Sequence, residues 1–198
     1  MENESGEIIK EEAPIKNTNS QSFWELFRFA LVAILIVIPI RIFIAQPFIV
    51  SGASMYPTFH NGDYLIVDEI SYRLGEVKRN DVVIFRYPKD PKKFFIKRVI
   101  GLPNETVDIQ GSQIIITNAE NKEGFILEQP FVKNESNNIS HFELKDDEYF
   151  VMGDNRAQSS DSRFWGPVQS DLIIGKAFLR LLPLSKISLL PGKYTQVE

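Results

Sequence analysis

The chain has 198 residues, room for about one ordinary domain, and 43% of them are hydrophobic, with 15 Phe, enough to build a core. Its 22 basic and 26 acidic residues leave a net charge of −4, which gives no electrostatic footing for a nucleic-acid partner. The absence of cysteine excludes disulfides, thiolate catalysis and cysteine-ligated zinc, and two histidines, His60 and His141, do not make a multi-histidine metal site, so neither a metal nor a cofactor is expected.

Residues 1–22 are polar and acidic, with Glu2, Glu4, Glu7, Glu11 and Glu12 against Lys10 and Lys16. They cannot bury enough apolar surface to order themselves and read as a disordered tail. Residues 23–45, FWELFRFALVAILIVIPIRIFIA, follow as an apolar run. Only Phe29 to Ile40, 12 residues, is free of charge, a length that suits a core helix as well. Arg28 and Arg41 lie where long cationic side chains reach lipid headgroups, and Phe23 and Trp24 suit an interfacial belt. Trp24 to Ile44 is 21 residues, or about 31 Å of helix, close to one bilayer core. The expectation is a single transmembrane anchor at 23–45. A cleaved leader fits poorly, because Phe43 stands at the exit, where a cleavage site needs a small residue. Lysine and arginine are too evenly placed about the span to orient it.

From residue 46 to 198 the pattern is β-rich. Short apolar or alternating runs appear at YLIVDEI, DVVIFRYP, FFIKRVIGL, ETVDIQ, SQIIITN, EYFVMGD and LIIGKAFLRLLP. Turn signals separate them, among them Asn61-Gly62-Asp63 and Gly101-Leu102-Pro103-Asn104. Many short strands with little helical periodicity predict a mainly β domain, a sandwich or barrel. Residues 117–148 are polar and rich in Asn and read as a short insertion. The closing stretch FLRLLPLSKISLLPG is broken by Arg180, Pro183, Lys186 and Pro191, which makes it core or edge strand rather than a second span.

The chemistry begins at QPFIVSGASMYPTFHNGD, residues 46–63, where Ser54 stands on a turn of small residues directly behind the apolar run. A serine hydroxyl is a poor nucleophile without a base to take its proton. His60 lies six residues on, in a hydrophilic turn that explains it without catalysis. A carboxylate is not singled out among 26 acidic residues. Lys97 differs: on a period-two strand Phe95, Lys97 and Val99 share a face, so the amine is held inside an apolar run. Acting as a base near neutral pH requires it to lose roughly three pKa units, a shift that desolvation can supply. A third stretch, EYFVMGDNRAQSSDSRFWGPV (148–168), sets serines, aspartates and arginines in one loop. Ser159 or Ser160 could hydrogen-bond a neutral lysine, and Asp154 or Asp161 could pair with Arg98.

SGASMYPT, FFIKRVIGLP and VMGDNRAQSSDSRFWGPV, in this order behind one apolar span, resemble the type I signal peptidases, membrane-anchored Ser/Lys proteases. The likeness covers residues 41–183 outside the 117–148 stretch. It implies Ser54 as nucleophile and Lys97 as general base, with Ser159 hydrogen-bonding the lysine. It implies Asp161 and Arg163 as an ion pair shaping the site, together with Arg98. Phe48, Val50 and Met55 fall where the family lines its shallow pockets. Family members remove leaders from secretory preproteins after a small-x-small sequence, at the bilayer surface, with the catalytic domain on the outer face of the cytoplasmic membrane. Gly52 stands where some members carry an oxyanion-binding serine, which leaves the Ser54 backbone N–H as the expected oxyanion donor. Asn104 replaces the usual glycine of GLPNE, expected to alter a turn rather than the chemistry. Two rival readings remain: a pilin- or conjugation-type processing peptidase of the same fold, and a membrane-tethered β domain that only binds a partner. A protease requires Ser54 Oγ and Lys97 Nζ within about 3 Å; a separation beyond about 6 Å would favour the binder.

Overall fold

The computed structural model describes residues 18–39, 45–135 and 137–194. Of the disordered tail expected at 1–22, residues 1–17 lie outside the described residues, as does the end of the apolar run at 40–44, whereas residues 18–22 are helical. Two compact units result, residues 1–39 and 40–198.

The first holds one helix, α1 (Thr18–Pro39), which begins five residues before the apolar run. Its side chains from Phe23 to Val37 are almost all exposed, Phe23, Trp24, Phe29 and Leu35 included. Among the described residues no helix is long and apolar enough to cross a membrane.

The second unit is mainly β. Its strands are β1 (Ala45–Ile49), β2 (Tyr64–Asp68), β3 (Val82–Tyr87), β4 (Asp90–Gly101), β5 (Thr106–Gly111), β6 (Gln113–Thr117), β7 (Phe125–Ile126), β8 (Asn138–Glu143), β9 (Glu148–Met152), β10 (Val168–Gln169), β11 (Ile173–Leu182) and β12 (Ser188–Leu189). Two short helices, α2 (Ile70–Leu74) and α3 (Ser162–Trp165), complete it. All seven apolar runs of the sequence become strands: β2, β3, β4, β5, β6, β9 and β11.

The larger sheet runs β1-β2-β11-β3-β4-β9-β10, with β12 on β11; the smaller runs β7-β6-β5-β8. The large sheet is an open path, so the barrel alternative is not realised: β1 and β10 are its unpaired ends. The polar stretch 117–148 is not structureless. This stretch supplies β7 and β8, half of the smaller sheet, and sends Leu127 and Leu144 into a core with Ile100, Val107, Ile114, Ile116 and Phe150. Polar composition hid these strands because one of their faces is solvated.

β4 is the central element. Beyond its exposed first third, residues 97–101 are buried without alternation, because both faces of the strand are covered there. Its second half pairs with β9 from Arg98↔Met152 onward, while its first half pairs only with β3. Asn104, at the turn after β4, has φ +64, in the left-handed region that glycine and asparagine tolerate best.

Candidate active site

Ser54 sits on the loop that leaves β1. The loop's base is closed by Val50 N–H donating to the Asp63 carbonyl (2.9 Å) and Gly62 N–H donating to the Val50 carbonyl (2.8 Å). The Asn61 side chain accepts from Gly52 N–H (2.9 Å). A single turn follows, Phe59 N–H to the Met55 carbonyl (2.9 Å), whose apolar side chains plug the core. Met55, expected in a substrate pocket, is only 1% exposed and packs with Val50, Phe59 and Leu65 instead. The turn points it inward, away from the cleft.

Lys97 Nζ lies 2.8 Å from Ser54 Oγ and 2.8 Å from the Ile96 carbonyl. The lysine is 4% exposed. Burial drives its pKa from 10.5 down to about 8, against the pull of the Asp161 and Asp154 carboxylates, which favour the ammonium. Each carboxylate is matched by an arginine. Asp154 is gripped by Arg98 through Nε (2.8 Å) and Nη2 (2.7 Å), in a pair almost wholly out of water. Asp161 is held by Arg163 through Nε (2.8 Å) and Nη2 (2.9 Å). Of the two partners open to Arg98 in the sequence, the structure takes Asp154.

Ser159 is buried, yet among the described residues its Oγ has no hydrogen-bond partner. The expected bond from Ser159 to the lysine is therefore absent, and the strand's own carbonyl at Ile96 supplies the amine's second contact. Ser160 lines the cleft.

Three residues escaped the sequence reading. Gly153 packs so closely that a Cβ there would lie 2.4 Å from the Ser54 carbonyl oxygen and 2.3 Å from Ser159 Oγ. Asn155 donates its backbone N–H to the Ser54 carbonyl (3.0 Å) and its side-chain Nδ2 to the Ala53 carbonyl (3.1 Å), so it holds the peptides on both sides of Ser54. Thr58 Oγ1 donates to Asp154. In sequence Gly153-Asp154-Asn155 reads as a turn, and Thr58, though it closes the SGASMYPT motif, carries no sign of a role.

A cleft of about 500 Å³ opens beside the two side chains. One wall is Phe48 to Ser54, the other Lys93 to Lys97, with Leu65 and Ile84 at the floor and Gln158 at the rim. Phe48 and Val50 line it, together with Ile49, Phe94 and Ile96. His60 faces elsewhere: its Nδ1 is 3.5 Å from Lys186 Nζ and its ring stacks edge-on against Tyr56.

The family model described as signal peptidase, peptidase S26, matches residues 23–182. Signal peptidase I V of Bacillus subtilis is 35% identical, over 77% of this chain and 94% of its own. Signal peptidase I of Leptolyngbya laminosa is 34% identical, over 78% of this chain and 77% of its own. A signal peptidase I crystal structure from Enterococcus faecalis is 26% identical, with a TM-score of 0.43, over 51% of this chain and 96% of its own.

Proposed function

The chain belongs to the signal peptidase family, peptidase S26, and from that premise we propose that Ser54 is its nucleophile and Lys97 its general base in removing signal peptides from secretory preproteins. The family makes it a hydrolase, a serine peptidase, associated with the membrane.

The single observation that carries the assignment is the 2.8 Å approach of the buried Lys97 Nζ to the half-buried Ser54 Oγ at the cleft. An ammonium there donates to the hydroxyl; a free amine accepts its proton along the same line. Ser54 Oγ attacks the scissile carbonyl as that proton moves to Lys97 Nζ. The oxyanion of the tetrahedral intermediate faces the Ser54 N–H, whose peptide is held at the Ala53 carbonyl by Asn155. Lys97 then returns the proton to the leaving amine, and water repeats the cycle to release the acyl group.

The cleft suits an extended chain. β1 has a free outer edge, and the first half of β4 lacks a partner on the β9 side. Both edges line the cleft, so a leader segment in extended form could hydrogen-bond backbone to backbone there. Phe48, Val50, Ile49 and Phe94 would receive its small side chains.

The apolar run at 23–45 we assign as the membrane anchor, with the catalytic domain on the outer face of the cytoplasmic membrane. Ser54 follows that run by only nine residues in the chain, which suits a substrate whose leader is still threaded in the bilayer. Incubating the purified full chain with a preprotein and locating the cut by mass spectrometry tests the function. Cleavage after a small-x-small sequence, lost in both Ser54→Ala and Lys97→Ala, is the expected result. Unchanged cleavage in either variant removes that residue from its role.

A further inference from the structure

The family match ends at residue 182, yet the chain beyond it runs back into the centre of the molecule. β12 adds to β11, and a turn then forms in which Lys193 N–H donates to the Leu190 carbonyl (3.0 Å). Pro191, at its start, is buried. The Gly192 carbonyl accepts from Arg98 Nη1 at 2.6 Å, and that nitrogen also donates to the Asn80 carbonyl at 2.9 Å. Gly192 has φ +80, and a Cβ on it would lie 2.8 Å from Thr58 Cγ2 and 3.3 Å from Phe59 Cε2. Glycine is thus required there twice over, by backbone conformation and by space.

These contacts close a ring. Gly192 holds Arg98, Arg98 grips Asp154, Asp154 accepts from Thr58, and Thr58 packs on Gly192. Each other member is tied closely to the reacting pair. Arg98 follows Lys97 in β4; Thr58 lies on the turn that Ser54 opens; Asp154 stands between Gly153 and Asn155, both set against the Ser54 carbonyl. Tyr194 continues the segment across to Glu128 (3.0 Å) and the Phe131 ring, and Phe131 in turn lies 3.9 Å from the Arg98 guanidinium.

We propose that residues 191–194 are a C-terminal latch, and that Gly192 is a positioning residue setting the distance and alignment between Ser54 and Lys97. The inference rests on the assignment of those two residues as nucleophile and base. It is a positional role rather than a folding one, because Arg98 keeps Asp154 and Asn80 when Gly192 moves away. What is lost is the wedge that presses Thr58 and Arg98 together. Slackening it shifts β4 against the Ser54 turn and admits water to the Lys97 amine. Of the charges facing that amine, the carboxylates Asp161 and Asp154 then favour its ammonium form, while their partners Arg163 and Arg98 only temper that pull.

The test compares three full-length-derived proteins with the wild type: Gly192→Ala, a truncation after Pro191, and a truncation after Tyr194 that keeps the latch. Steady-state cleavage of a preprotein is followed from pH 6 to 10, with the folded fraction counted by circular dichroism. In the first two variants kcat should fall roughly tenfold to a hundredfold, the loss expected of a displacement of about an ångström. KM should change little and the acid limb of the rate profile should move to higher pH. The truncation after Tyr194 should behave as wild type. The latch is overturned if the limb stays in place in Gly192→Ala, or if the loss of rate merely equals the loss of folded protein. A wild type with no acid limb, or a Lys97→Ala variant that cleaves normally, would instead overturn the dyad itself and the latch with it.

Discussion

Lys97 carries a cost that its proposed role as base would explain. Its pKa falls from 10.5 to about 8 because burial disfavours the ammonium. The unfolded chain therefore holds more protons between those two values than the folded one does, and stability rises with pH across that window. Below pH 8 the folded protein bears the whole penalty, on the order of 3 kcal/mol. Lys97→Met keeps the apolar stem and removes the penalty. Urea denaturation at pH 7 should show it at least as stable as the wild type while cleavage is lost, with any advantage shrinking towards pH 10. The same shift governs rate: kcat/KM should fall tenfold per pH unit below about 8, as the neutral amine is depleted. A rate unchanged down to pH 5 would contradict an amine base. His60, occupied with Lys186 and Tyr56, should be dispensable, and His60→Ala should keep near-wild-type kcat/KM.

The turn after β9 is the element that assembles the site. Asp154 anchors β4 through Arg98, while Gly153 and Asn155 fix the peptides around Ser54. Asp154→Ala leaves the guanidinium of Arg98 buried without its counter-charge and should cost about 3–5 kcal/mol, measurable by chemical denaturation. Pairing it with Arg98→Met should restore part of that loss, because the unpaired guanidinium is then gone. Asn155→Asp tests positioning with almost no change of shape. It sets a carboxylate oxygen where an N–H faced the Ala53 carbonyl, so the Ser54 N–H loses its fixed direction. We expect kcat lowered about tenfold or more with KM nearly unchanged. A matching rise in KM would point to a damaged cleft instead.

At the scale of the whole molecule, the two sheets divide the labour. The cleft and both reacting side chains belong to the large sheet and its loops, while the smaller sheet packs Ile109, Ile114 and Ile116 under Phe150 and Met152 of β9. Its contribution is to hold β9, and hence the turn that follows. Ile116→Ala should destabilise by about 2–5 kcal/mol, read as a lower melting temperature, while kcat/KM of the folded protein stays near wild type. A selective loss of kcat would mean that the smaller sheet reaches the chemistry more directly. Opening of the large sheet serves the same end, since the outer edge of β1 and the first half of β4, both without a second strand partner among the described residues, are walls of the cleft.

Much of this was written locally. Period-two runs of Val, Ile and Phe marked seven strands, because alternation and turn residues act within a few positions. The three motifs around Ser54, Lys97 and the 153–163 loop named the residues on which the assignment rests. β7 and β8 were hidden in a polar stretch, since their stabilisation comes from β5 and β6 rather than from their own composition. The open edge of the sheet, the inward turn of Met55 and the isolated Ser159 hydroxyl were equally out of reach. So were the partners across long gaps: Lys97 to Ser54 spans 43 residues, Arg98 to Asp154 56, and Arg98 to Gly192 94. Such meetings depend on strand order and on which face each strand buries, and those are settled only when the sheet forms as a whole. Residue order alone determined which groups could react; the packed sheet decided which of them lie close enough, and dry enough, to do so.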